Sequence, residues 1–273
     1  MQSLAAESWR LLGPLAPVHV GDLAWWMYQH PNKLARVRVQ LWLEDGECVA
    51  WGWLDGGTLD ALTHPARAEL LDEVVAWADA DVVYAVEADA QKIARLESAG
   101  YARRSQGHVF NHMFRELDEL PQPTVPEGYR LRTVRGEQEL MARVEVHRVV
   151  WAPSRVVPES YGRLMREWPY RADLDYVVEA PDASFAAFCL AWLDPDNAVG
   201  LFEPVGTHPN HQRRGLATAA CLSALHGLRA AGATRAVVAS LDPSDGEELY
   251  EKVGFRTVTR HVPFGKKPTG PVV

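Results

Sequence analysis

The chain has 273 residues, 47% hydrophobic and 23% charged, with three cysteines and a formal net charge of −8; that is a globular composition, long enough for one large domain or two ordinary ones. No run of 18 apolar residues is present to span a membrane, and "MQSLAAESWRLLGPLAPVHV" lacks the basic start and unbroken apolar run of a signal peptide, so a cytoplasmic location is expected. Residues 1–125 hold 10 Lys/Arg against 18 Asp/Glu while the remainder holds 18 against 18, which speaks against nucleic acid or anionic lipid as a partner and leaves room for a cationic small molecule.

In chain order, residues 49–110 read as strand, strand, helix, strand, short helix, a Gly-aromatic turn and a strand. Seven of the ten tryptophans lie in this half, where most are expected in the core and some are available to line an acceptor pocket. Cys48, Cys189 and Cys221 are far apart among apolar neighbours and read as reduced core residues, neither a disulfide frame nor a metal site. "LPQPTVPEG" (120–128), with three prolines and no periodicity, reads as a linker. The expected domains are therefore 1–120, a linker at 121–128, and 129–273.

The second half opens with a strand at 129–134, a helix at 137–150 and a helix at 159–168. "LDYVVEA", "FAAFCLAWL" and "VGLFEPVGT" follow as strands. From there the element order repeats that of the first half. "LTHP" (62–65) matches "GTHP" (206–209), and "LESAGY" (96–101) matches "LYEKVGF" (249–255), at 36 residues from His64 to Gly100 and 46 from His208 to Gly254. The ordered echo indicates duplication of one α/β unit. The fold class expected is α/β (α+β), two tandem units, each a mostly antiparallel sheet flanked by helices.

"THPNHQRRGLATAACLSALHGLRAAGA" (207–233) holds a helix from Leu216, with Leu216, Ala219, Leu222, Leu225 and Leu228 at helical spacing and Gly232 as its stop. Its entry carries Arg213 and Arg214, where the positive end of the helix dipole ordinarily favours Asp or Glu. Two readings fit these residues alone. One is an exposed basic turn held by packing. The other is an anion site, in which unpaired N–H groups at Leu216 and beyond meet a phosphate. On the second reading Gly215 and Ala217 keep the approach open, Thr218 adds a hydroxyl, and the two guanidinium groups neutralise charge. Neither a P-loop nor a dinucleotide fingerprint is present.

The pattern Gln-x-x-Gly-x-Ala, Gln212 to Ala217, between the strand "EPVGTHP" and the later "LYEKVGF", resembles the GNAT superfamily of acyl-CoA-dependent N-acetyltransferases over residues 129–264. The first half resembles a degenerate copy, so the whole resembles tandem GNAT proteins of the mycothiol-synthase type. The resemblance implies acetyl-CoA as co-substrate and no metal, with the pyrophosphate at Gln212, Arg213, Arg214, Gly215, Leu216, Ala217 and Thr218. Many relatives carry Asn seven residues before the late Tyr, where this chain has Pro243.

Glu203 alternates on its strand with Leu201, Val205 and Thr207. A carboxylate among apolar neighbours gains proton affinity, as a general base for an ammonium nucleophile requires; a structural ion pair with an Arg is the other reading. The resemblance implies the base. Pro204 cannot donate a ladder bond, so the sheet is expected to open here and free N–H groups at Val205, Gly206 and Thr207 for a thioester carbonyl. Tyr250 lies in a short helix entered by "SDGE", with Ser244 and Glu247 spaced as a capping box, and closed by Gly254. Core packing fits its neighbours; the resemblance implies the acid that protonates the departing thiolate. Ser154, Arg155, Asp173 and Asp175 flank the second helix, a region that shapes the acceptor site in GNAT folds. His208 and His211 lack metal-ligand spacing.

Together these give an N-acetyltransferase moving acetyl from acetyl-CoA to a primary amine of a small molecule by direct attack, as a monomer or homodimer. The alternatives are a mycothiol-synthase-like acetyltransferase and a non-catalytic acyl-CoA-binding sensor or scaffold.

Overall fold

The structure is a computed structural model and describes residues 1–267. Two helices absent from the sequence expectation open it, α1 (Gln2–Leu12) and α2 (Val20–Tyr28). The duplicated unit follows: β1 (Val37–Glu44), β2 (Glu47–Asp55), β3 (Thr58–Thr63), α3 (Leu70–Ala78), β4 (Val82–Val86), α4 (Ala90–Ser98), β5 (Tyr101–Arg103) and β6 (Phe110–Glu116). The second half runs β7 (Arg130–Thr133), α5 (Leu140–Val150), α6 (Pro158–Leu164), β8 (Asp175–Glu179), β9 (Phe185–Asp194) and β10 (Val199–Thr207). It closes with α7 (Leu216–Ala230), β11 (Arg235–Leu241), α8 (Asp245–Lys252) and β12 (Arg256–Lys266). The helix expected at 137–150 begins as a 3-10 turn at Glu137–Glu139, and the one expected at 159–168 already ends at Leu164.

All strands join one sheet in the order β1-β2-β3-β4-β12-β6-β11-β10-β9-β8-β7, with β5 paired to β12. The order is pseudo-symmetric about the β12–β6 contact: β4 answers β11, β3 answers β10, and β2 answers β9. The two parallel pairs among the described strands, β3–β4 and β10–β11, are counterparts. Each half is completed by the other's last strand, because β6 pairs with β11 and β12 pairs with β4. The chain boundary near residue 120 is thus not a boundary in space. One continuous ladder binds the two halves.

The echo in sequence is an echo in conformation. His64 and His208 each accept a hydrogen bond on the ring from the backbone two residues on, and each opens a 3-10 turn at the following proline. Gly100 and Gly254 both sit in the left-handed region, at φ +87° and +88°, where a side chain is strained.

In the second half α7 covers one face of the sheet, with Ala220, Leu225 and Leu228 against β9 and β10 residues. The opposite face packs Trp9, Trp25, Tyr161 and Leu164 on Trp192 and Leu201, so α2 of the first half is a structural layer of the second. Cys189 and Cys221 are buried and free, and Cys48 is half-buried. Among the described residues no helix is long and apolar enough to cross a membrane.

Candidate active site

β10 and β11 pair only from Val199–Leu201 to Arg235–Val237. Beyond that point β10 keeps β9 and β11 keeps β6, so the two strands part, with a register irregularity between Phe202 and Val205. Pro204 lies in that irregularity. Among the described residues, the edge of β10 from Phe202 onward has no partner strand on the β11 side.

A cavity of about 620 Å³ occupies the parting, lined by Glu203, Val205 and Tyr250, and by Ser154 and Arg155 after α5. Tyr250 is 8% exposed, and its ring packs on Phe255 at 6.0 Å. Its hydroxyl makes no hydrogen bond within the described residues. Burial, with the neighbouring Cys221, Cys189 and Glu203, drives its pKa well above that of a free phenol, so it carries its proton at neutral pH. Glu203 is pushed well above the usual carboxylate range by burial first and by the adjacent Asp22 carboxyl second. One wall therefore holds a proton acceptor of raised affinity, and another holds a proton donor.

A second cavity of about 440 Å³ lies between the halves and meets the first at Asp22, Phe110, Leu201, Glu203 and Ala239, which line both. Its walls carry Trp9 and Trp26 with Asp60, while Trp25 and Trp151 line the first, so the first half supplies aromatic walls as well as core. Asp60 has no hydrogen bond or ion pair among the described residues, and burial raises its pKa to about 6.

The basic turn lies apart from both cavities. α7 starts at Gly215 (φ +75°, ψ 8°) with no side-chain cap and no acidic residue in its first turn, so its leading N–H groups have no side-chain partner. A Cβ on Gly215 would meet nothing within 4 Å; its backbone angle and the open ground above it are what single it out. Arg213 is also left-handed, at φ +60°, uncommon for a residue with a side chain. Its guanidinium is 89% exposed and lies 4.0 Å from Asp245, while Arg214 reaches the Tyr129 hydroxyl at 3.0 Å. These features fit a polyanion: bare helix N–H groups, an open glycine and two cations held by weak partners. Gln212 is exposed there too. Ala217 and Thr218 are half-buried, and the Leu216 side chain is in the core, so only its backbone faces the turn. Gly206 is glycine for a packing reason, since a Cβ there would lie 2.4 Å from Val150, and Thr207 is half-buried outside both cavities.

Two candidates require correction. Asp175 is fully buried, taking Arg143 Nε at 2.9 Å and the Tyr161 hydroxyl at 2.8 Å, and lines neither cavity. Asp173 pairs with Arg171 on the surface. Proximity in sequence to the α6 segment placed them as acceptor residues, whereas a buried arginine claims the first and an exposed one the second. Ser154 bonds His147, whose pKa burial and the Arg143 charge hold down to about 3, so His147 is neutral at physiological pH. Asp22, Asp60 and Lys92 were not anticipated as site residues, whereas Trp9, Trp25 and Trp26 are among the first-half tryptophans that the sequence left available for a pocket wall. The available signal for Asp22 is the N-cap spacing of "HVGD" (19–22), which marks a helix start and nothing about a site. Among the described residues no group of three or more His, Cys, Asp or Glu is arranged to hold a metal ion.

A family profile described as FR47-like protein matches residues 187–262, the span of β9 through β12 that contains Glu203, the basic turn and Tyr250. A mycothiol acetyltransferase of Saccharomonospora viridis is 29% identical over 226 residues, covering 76% of this chain and 73% of its own. In fold, a GCN5-related N-acetyltransferase from Sphaerobacter thermophilus covers 99% of this chain and 93% of its own at TM-score 0.66 and 17% identity. A tandem GNAT protein from the clavulanic acid biosynthesis pathway covers 98% and 95% at TM-score 0.64 and 18% identity. The duplicated sheet and these structures agree on architecture: the chain has the tandem GNAT fold, and its similarity to the FR47-like profile and to a mycothiol acetyltransferase points the same way.

Proposed function

We propose that the protein moves an acetyl group from acetyl-CoA to the primary amine of a small, cationic molecule by direct attack. The observation that carries this reading is the meeting of Glu203 and Tyr250 on the walls of one cavity at the parting of β10 and β11. The thioester supplies the activated acetyl group. Gln212 to Thr218 would hold the pyrophosphate, with Arg213 and Arg214 as counter-charges. Glu203 takes the proton of the acceptor amine, directly or through water, and the unpaired β10 backbone at Val205 offers N–H groups to the carbonyl oxygen. Tyr250 gives its proton to the departing sulfur.

The acceptor enters from the chamber between the halves. That chamber presents carboxyls at Asp22, Asp60 and Glu203 with one amino group, Lys92, whose hydrogen bond goes to a backbone carbonyl. Such a lining favours an ammonium. A second reading, favoured by the mycothiol acetyltransferase relative, makes the acceptor the amine of a thiol-bearing sugar conjugate. Coenzyme A release from acetyl-CoA across a panel of amines, including such a conjugate, tests both. Acetyl-CoA binding with no release for any amine would remove the catalytic proposal.

A further inference from the structure

We infer that Asp22, contributed by the first half, is a positioning residue that shares a proton with Glu203 and so sets the basicity of the candidate base; this rests on the reading of Glu203 as that base. The geometry is unusually constrained. Asp22 stands at the N3 position of α2, where one of its carboxylate oxygens accepts the backbone N–H of His19 at 2.7 Å. The His19 ring accepts from Gly21 N–H at 3.0 Å, which leaves its other nitrogen to donate to the carbonyl of Val199, in β10 itself, at 3.2 Å. The end of α2 is therefore tied to the strand that bears Glu203.

A second tie is independent of the first. A Cβ on Gly21 would lie 2.4 Å from the Trp192 ring, so only glycine lets α2 approach this closely. The same Trp192 donates its indole N–H to the carbonyl of Glu203 at 2.6 Å. Helix and strand are held from both sides, with the Asp22 and Glu203 side chains both on the lining where the two cavities meet.

No cation satisfies the pair. Neither carboxyl has an ion-pair partner within 4.0 Å among the described residues. Around the inner chamber, burial holds His19 and His112 down to about 4 and His261 to about 3, so all three are neutral. Lys92 bonds Ala61, Asp60 is itself an acid raised to about 6, and Tyr84 is a phenol raised by burial. On the outer side stand Tyr250 and His147, already described, with His30, Arg155 and Lys33; His30 is lowered by burial and Lys33 pairs with Asp55 at 2.6 Å. Two buried carboxyls at one juncture without a cation cannot both ionise at low cost, so one proton stays with the pair. Burial raises both carboxyls, and each raises the other further while it is charged. Glu203 accepts a proton only above the pH at which the pair gives its own up, and in that range a carboxylate of higher proton affinity abstracts one more readily.

Asp22→Asn tests this, because the amide oxygen still accepts from His19 while the charge is lost. With acetyl-CoA and a turned-over amine, the acidic limb of the kcat/KM profile is expected to move to lower pH, and the plateau rate to fall. Melting temperature and acetyl-CoA affinity should hold. A merely structural defect lowers the rate without moving the limb down. Carbon-13 carboxyl NMR, with the Glu203 signal identified by its loss in Glu203→Gln, reads the same coupling without turnover and should show Glu203 titrating at lower pH in the variant. A signal that titrates where it does in wild type, or a limb that moves to higher pH, overturns the inference. A moved signal with an unmoved limb leaves the pair standing and removes Glu203 as the base. If Asp22→Asn does not fold, Asp22→Ser keeps an oxygen acceptor at N3 and is read in the same way.

Discussion

The amino group of Lys92 donates a 2.9 Å hydrogen bond to the carbonyl of Ala61, and Ala61 stands two residues before Thr63 just as Val205 stands two residues before Thr207. β3 and β4 part after Leu59, as β10 and β11 part after Leu201. In the first half a lysine from α4 fills that parting. Beyond it, α3 begins with Asp72 and Glu73 in its first turn, which suit the helix dipole and repel pyrophosphate, and Leu96, four residues before Gly100 as Tyr250 is four before Gly254, is the buried residue of α4 in the place of Tyr250. One acetyl-CoA per chain is therefore expected. Calorimetric titration or native mass spectrometry should give a stoichiometry near one, and two saturable sites would refute the assignment.

Gly215 separates a backbone requirement from a ligand requirement. Gly215→Ala places a side chain in open space but at φ +75°, and should lower stability by about 1 kcal/mol with acetyl-CoA binding retained. Gly215→Glu carries the same strain and adds bulk and negative charge beside the bare helix N–H groups, so binding should be lost. Calorimetry on the folded variants distinguishes the two, and unchanged affinity in Gly215→Glu would take the turn out of the coenzyme site.

Tyr250→Phe deletes a hydroxyl that makes no hydrogen bond among the described residues while keeping the ring against Phe255. Folding and acetyl-CoA affinity should be nearly unchanged. Turnover should fall roughly 10²- to 10⁴-fold, the usual contribution of general acid catalysis. Wild-type turnover in this variant would assign the thiolate proton to another donor.

Glu203→Gln carries a stability signature of definite sign. The folded-state affinity of Glu203 for its proton exceeds the unfolded one, whose pKa is near 4.5, so the folded state holds more protons above that pH and wild-type stability falls as pH rises through the interval between the two values. The glutamine variant has no such loss. Its melting temperature should exceed that of wild type at neutral pH, with the gap closing below about pH 4.5, whereas its turnover should drop.

Asp175 and Asp173, two positions apart in sequence, should behave oppositely. Asp175→Ala strands Arg143 in the core and should destabilise by about 3–5 kcal/mol, as losing one partner of a buried pair does. Asp173→Ala removes an exposed pair with Arg171 and should change stability by about 1 kcal/mol or less. Denaturant unfolding measures both.

What the sequence by itself determined lies within short range. The caps at Ser244 and His208, the left-handed glycines, the apolar stripe of α7, the strand 199–207 and the Thr-His-Pro landmarks each depend on residues a few positions apart, whose backbone preferences hold wherever the segment ends up. Glu203, Gly215 and Tyr250 could be singled out as candidates for the same reason, since each belongs to a local pattern. Only the tertiary structure decided the exchange of β6 and β12, because either strand could satisfy its ladder against several edges and no residue within it names the partner. It also decided which carboxyls line the cavities. Asp22 reached Glu203 across 181 positions through a glycine, a tryptophan and a histidine, and Asp175 left the acceptor site for Arg143. The free energy of a buried charge depends on which groups surround it in space, and the neighbours of Asp22 and Asp175 come from segments far away along the chain.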